Sequence, residues 1–265
     1  MEPERTTQAE SGAADRELEL ESLELELLIE GIFVRYGYDF REYSRPSLKR
    51  RVRNVMQAEN LTTISALQER ILRSPALMAR FLPAISVNLT ALFRDPAFFA
   101  VFREHVAPVL RTYPFIRIWH AGCSTGEEVY SMAIMLQEER LYDRCLIYAT
   151  DLDDAALRRS REGIFPLEAA DEYAANYLAA GGKKLLSDYY TAAYGSAIFH
   201  SSLKENIVFS QHNLAQDSSF NEFQVILCRN VMIYFRKKLQ HRVHHLIYES
   251  LALYGVLGLG SKENL

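Results

Sequence analysis

Cysteine is scarce. Cys123, Cys145 and Cys228 are the three in the chain, set in apolar surroundings without any pairwise motif spacing. This suggests neither a disulfide framework nor a zinc site and favours buried, reduced thiols. Long apolar runs are missing too. None reaches the ~20 residues that span a bilayer, and the acidic N-terminus has neither the basic flank nor the apolar core of a secretory signal. The chain is therefore expected to be cytoplasmic, without membrane insertion. Net charge is also small, at −4, but it conceals a segregation: residues 1–30 hold ten acids and two bases, whereas residues 31–85 hold ten bases and four acids. A basic excess confined to one helical segment does not describe a nucleic-acid-binding domain and calls for an acidic partner.

What is present supports one large core and a smaller satellite, since 49% of the 265 residues are hydrophobic. Residues 1–16 are polar and small, without periodicity, and are expected to form a disordered tail. From Glu17 the sequence alternates Glu and Leu, which by period alone suggests a strand. Composition overrides it: both residues are strong helix formers, and Leu25, Leu28, Ile29, Ile32, Phe33 and Tyr36 fall at helical spacing before Gly37. A second helix is expected from Pro46 to about Asn60, its polar face carrying Lys49, Arg50, Arg51 and Arg53. Helices at about 62–73 and 75–85 complete an all-helical N-terminal domain, assigned to residues 17–95.

From Phe115 the pattern changes to short apolar runs, at 115–121, 145–150, 206–211, 223–228 and 253–259, separated by helical stretches at 126–140, 153–162 and 236–252. This is a βαβ series, so residues 96–265 are expected to be an α/β domain with a doubly wound parallel sheet. About forty residues between the second of these helices and the third strand exceed an ordinary connection. A helix and a small antiparallel β-subdomain insertion at 183–203 are expected there.

The first strand runs into Ala121-Gly122-Cys123-Ser124-Thr125-Gly126-Glu127-Glu128 and directly into a helix. In a doubly wound fold this is the ligand-binding turn. Its glycine spacing departs from the dinucleotide pattern, and two acids at the helix start repel a pyrophosphate but suit a cation such as S-adenosylmethionine. Glu127 is accounted for by the helix dipole; Glu128 is open between that use and a ligand. Asp151, at the tip of the second strand, is placed to accept hydrogen bonds from ribose hydroxyls. Asp153 is assigned the N-cap of the following helix.

Four blocks in order, Ser86-Val87-Asn88-Leu89-Thr90-Ala91-Leu92-Phe93-Arg94, Gly122 to Glu128, His212-Asn213-Leu214 and Cys228-Arg229-Asn230-Val231-Met232-Ile233-Tyr234-Phe235, resemble the CheR-type chemoreceptor methyltransferases. The likeness runs from about Leu28 to the end of the chain. It implies a Rossmann-like S-adenosylmethionine-dependent methyltransferase domain and the activity of a protein-glutamate O-methyltransferase, with S-adenosylhomocysteine as product. Carried over residue by residue, it implies that Asn88, Thr90, Arg94, Glu128, Asp151, Asn213, Leu214, Arg229 and Asn230 bind the cofactor. Arg94 and Tyr234 would line the methyl-transfer site, no metal being needed. Lys49, Arg50, Arg51 and Arg53 would dock the acidic helices of a chemoreceptor's cytoplasmic region.

Two departures matter. The chain reaches the end of the fifth strand where the family continues into a final antiparallel pair, so its C-terminal strands are expected to be truncated. The insertion lacks the glycine-rich loop of members that dock on a receptor's C-terminal peptide, so that tethered mode is not expected. A non-catalytic signalling module that binds S-adenosylmethionine is the alternative, opposed by intact Arg94 and Tyr234. The absence of an N-P-P-Y loop argues against methylation of nucleic-acid bases.

Overall fold

The computed structural model describes residues 4–86 and 90–265. The chain divides into two compact units, Met1–Ser86 with Tyr234–Leu239, and Val87–Ile233 with Gln240–Leu265.

The first unit is helical: α1 (Glu4–Tyr36), α2 (Arg45–Ala58), α3 (Ile64–Arg73) and α4 (Pro75–Ile85). Helix α1 starts well before Glu17, across the stretch expected to be a tail. The Ala and Glu residues there favour helix continuation over coil. The Glu/Leu alternation resolves by helical period: Leu25, Leu28, Ile29 and Ile32 are buried, while Leu18, Leu20, Leu23 and Leu27 face solvent. The buried stripe meets Leu67 and Ile71 of α3, and the Tyr36 hydroxyl donates to the Ile71 carbonyl at 2.6 Å. Thr63 and Ser74 cap α3 and α4 through side-chain oxygens.

The second unit opens with α5 (Pro96–Val101) and α6 (Ala107–Leu110), joined by a π-helical turn. There follow β1 (Ile116–Ala121), α7 (Glu127–Glu138), β2 (Cys145–Asp151), α8 (Asp154–Glu162), β3 (Ile164–Pro166), α9 (Ala170–Ala179), β4 (Tyr190–Ala193), β5 (Ser196–Phe199), β6 (Ile207–Gln211), β7 (Phe223–Cys228), α10 (Lys237–Ser250) and β8 (Leu251–Leu259). Five strands form a parallel sheet in the order β6-β2-β1-β7-β8. Chain order therefore reverses between β1 and β7, and a doubly wound sheet offers its ligand crevice where the carboxyl ends of those two strands part. The interior strands β1 and β7 are largely buried on both faces, and the three cysteines lie buried and free within this unit.

The insertion is a three-stranded antiparallel sheet, β3-β5-β4. It begins earlier than residue 183, because Ile164–Pro166 pairs with β5. The β4–β5 hairpin turns at Tyr194 and Gly195, both with positive φ, as a tight two-residue turn requires. Glu138, at the end of α7, ties the insertion down: its Oε1 accepts from the Tyr189 hydroxyl at 3.0 Å, the Lys183 amide at 2.9 Å and the Tyr177 hydroxyl. Among the described residues no helix is long and apolar enough to cross a membrane.

The break between units falls at Ser86, earlier than the expected boundary at residue 95. Residues 90–95 belong with the sheet because Phe93 is fully buried against Phe99 and Tyr177, at ring-centroid distances of 5.1 and 5.2 Å, and its amide donates to Ser131 Oγ of α7 at 2.8 Å.

Candidate active site

Strand β1 ends in a turn that only glycine permits at two places. Gly122 has φ +83°, and a Cβ there would lie 2.6 Å from a Val231 methyl; Gly126 has φ +97°, and a Cβ there would lie 2.1 Å from Ser160 Oγ. The amides of Gly122 and Cys123 both donate to the Thr150 carbonyl at 2.9 Å, locking the turn to the end of β2. Asp151 completes the lock: Oδ2 accepts from the Ser124 amide at 2.8 Å and Oδ1 from the Asp153 amide at 2.9 Å. Each oxygen retains accepting capacity beyond that one bond. Burial pushes the Asp151 carboxyl above the ordinary range, against the pull of those amides. Asp153 caps α8 through the Ala155 amide at 2.9 Å, as expected.

The acids at the start of α7 have different surroundings. Glu127 is buried and accepts from the Thr125 hydroxyl at 2.6 Å; burial raises its carboxyl. Glu128 lies between His120 Nδ1 at 3.1 Å and Arg229 Nη1 at 2.6 Å. Burial raises the Glu128 carboxyl, but the His120 hydrogen bond and the Arg229 charge outweigh it, and the net direction is down. Arg229 also donates from Nη2 to Asp95 Oδ2 at 2.8 Å and to the Arg94 carbonyl at 3.3 Å, with its guanidinium carbon 4.1 Å from the centre of the Phe98 ring. Arg229 is thus a buried clamp that joins the segment before α5 to α7, and its charge already engages Glu128. Even so, the carboxylates of Asp95 and Glu128 on Arg229, with Asp151 at the tip of β2, outnumber the one guanidinium that Arg229 supplies. That donor set fits a sulfonium-bearing cofactor better than a phosphate.

Thr90 and Arg94 flank the buried Phe93, both partly buried. Asn213 closes its own turn: its amide donates to Asp217 Oδ2 at 2.7 Å, and its side chain holds Ala215 and Gln216. Leu214 is buried beside it. The His212 amide donates to the Asp151 carbonyl at 3.1 Å, which brings this turn to the tip of β2. Asn230 follows the clamp with φ +60°, its amide bound to Glu263. Asn88 lies outside the described residues. Tyr234 segregates with the helical unit, where its ring lies 4.8 Å from the Arg51 guanidinium.

The basic helix departs from expectation at one residue. Arg51 is buried on the inner face of α2 and donates to the Ile85 carbonyl. Leu48, Arg51, Val52 and Val55 form the buried stripe, so position, not charge, sets its direction. Lys49 and Arg53 pair with Glu21 of α1, at 2.5 and 2.7 Å, and Arg50 is exposed. His120, Asp95 and Glu263 carry no local signal in the sequence that points to these roles. His120 reads as core within a buried strand, and the partners of the other two are distant along the chain.

Comparisons with known proteins fit this geometry. Residues 88–265 match the CheR methyltransferase SAM binding domain, and residues 23–86 the CheR methyltransferase all-alpha domain. A Pseudomonas putida protein named "Putative methyltransferase Cher3" is 49% identical across 92% of this chain and 89% of its own length. Chemotaxis protein methyltransferase 2 of Pseudomonas aeruginosa is 34% identical, covering 72% of this chain and 69% of its own. The chemotaxis protein methyltransferase of Salmonella typhimurium is 32% identical, over 69% and 63%. With a doubly wound sheet, a glycine turn facing a strand-tip carboxylate, and both domain models matched in order, the chain belongs to the CheR methyltransferase family and has S-adenosylmethionine as its cofactor.

Proposed function

We propose that the chain transfers a methyl group from S-adenosylmethionine to glutamate side chains in the cytoplasmic region of a chemoreceptor, leaving methyl esters. The observation that carries the cofactor half is Asp151, held by two backbone amides at the tip of β2 beside the Gly122–Gly126 turn. It accepts the ribose hydroxyls, while Thr90, Asn213, Leu214 and Asn230 close the rest of the pocket. When bound, the cofactor supplies a methyl group activated by a sulfonium.

The protein's own task is set by the acceptor. A glutamate with a pKa of ~4.3 is ionised at neutral pH, so no general base is needed. Arg94 is assigned to orient the carboxylate, the Tyr234 hydroxyl being given that role by the family resemblance, and positioning of this kind supplies up to ~7–11 kcal/mol of a barrier. Arg94 acts with restraint, because uniform binding of ground state and transition state gives no acceleration. On α2 the docking surface is the exposed face of Arg50 and Arg53, with Lys49 at its edge. Arg51 is excluded from it by burial.

The test is incubation of the protein with labelled cofactor and membranes that carry methyl-accepting receptors, followed by peptide mapping. Base-labile methyl esters on glutamate are expected, formed more slowly as salt rises and in the Arg50→Glu variant, whose cofactor affinity is unchanged. Label on lysine, or label stable to base, contradicts the proposal.

A further inference from the structure

Glu263 lies beyond the end of β8, in a turn closed by its own amide on the Gly260 carbonyl at 2.9 Å. Its carboxylate collects four backbone N–H groups. Oε1 accepts from Val231 at 2.8 Å and Met232 at 2.7 Å; Oε2 accepts from Asn230 at 2.7 Å and Gly260 at 2.8 Å. Three consecutive amides converging on one carboxylate form an anion nest. The nest stands at the start of the 3-10 turn Met232–Tyr234, and within it Asn230 takes φ +60°, a conformation Asn tolerates better than most residues. Gly260 leaves the room required: a Cβ there would lie 2.7 Å from Glu263 Oε2 and 2.9 Å from the Asn230 amide.

A cap for stray amides would explain one or two of these bonds. Here the turn being held, Asn230 to Met232, directly follows the Arg229 clamp. We propose that Glu263 is a positioning residue, whose carboxylate fixes the Asn230–Met232 turn and so sets cofactor affinity through Asn230. The inference rests on the reading that Asn230 lines the cofactor pocket. It does not depend on which substrate accepts the methyl group.

The experiment is a double-mutant cycle on S-adenosylhomocysteine affinity by calorimetry, with Glu263→Gln, Asn230→Ala and the pair. Glutamine keeps the volume but turns an NH2 toward two N–H donors, so affinity is expected to fall about tenfold, the equivalent of one charge-assisted hydrogen bond. In the Asn230→Ala background the same change is expected to move affinity less than about twofold, since coupled neighbours are non-additive. A merely structural role gives additive losses. Gly260→Ala displaces the same carboxylate without altering its chemistry and is expected to reproduce the tenfold loss if Glu263→Gln proves too unstable to titrate. Unchanged affinity in the variant measured, or full additivity with Asn230→Ala, overturns the proposal. If wild type binds the product but esterifies no glutamate, the proposed substrate fails while this cycle still decides Glu263.

Discussion

Glu128 is held between a histidine and an arginine, and its carboxyl sits below the ordinary glutamate range. Between its folded and unfolded values the unfolded chain binds more protons. Stability therefore rises with pH across that window, is complete above the ordinary value, and is lost as pH falls through the folded one. Urea unfolding from about pH 3 to 7 is expected to show this acid limb in wild type and a flatter one, from a lower plateau, in Glu128→Gln. The opposite slope, or no difference, would remove the clamp from the account. Arg94 and Tyr234 are tested by turnover at saturating cofactor. Arg94→Lys is expected to lose about tenfold or more and Tyr234→Phe less, because a planar fork orients a carboxylate and an ammonium does not. A raised Michaelis constant with full turnover would instead mean uniform binding. At this scale the sequence is legible where one residue type suits one local position. Asp151 at a strand tip and Asp153 at an N-cap are of that kind. The Glu128–Arg229 pair joins positions 101 residues apart, and no local pattern announces it.

Elements were legible from periodicity, and their failures have physical causes. The Glu/Leu run looked like a strand, and helix propensity with an apolar stripe decided correctly. The same test applied to α2 would have turned Arg51 inward, because it falls at i+3 and one residue before Val52 on the stripe begun by Leu48. The polar identity of Arg51 masked its position. The insertion was recognised from loop length, but its third strand was not, since three residues at 164–166 carry no period. What holds it is a buried carboxylate: Glu138 is tied to Tyr177, Tyr189, the Lys183 amide and Arg103. Removing one partner of such a network costs about 3 kcal/mol. Glu138→Ala is expected to speed hydrogen exchange across residues 183–199 while β1 and β2 keep their protection. Uniform loss of protection throughout the sheet would show that the insertion is not a separately held unit.

At the scale of the whole molecule, the two matched domain models agree with the two compact units at their shared edge, where one model ends at residue 86 and the other starts at 88. The helical unit nevertheless reclaims Tyr234–Leu239 from late in the chain, which no linear domain boundary could express. The account stands on the cofactor being held at the carboxyl ends of β1 and β2, with Asp151 as the ribose acceptor. Two charge-assisted bonds at ~1.5–3 kcal/mol each would then be lost or weakened in Asp151→Asn, which keeps the side chain's shape and one of its acceptors. The most direct measurement is a calorimetric titration of S-adenosylhomocysteine into wild type and Asp151→Asn, with thermal unfolding of both as the check on folding. One site in wild type and a loss of at least about tenfold in the folded variant are predicted; equal affinity in the two would contradict the account.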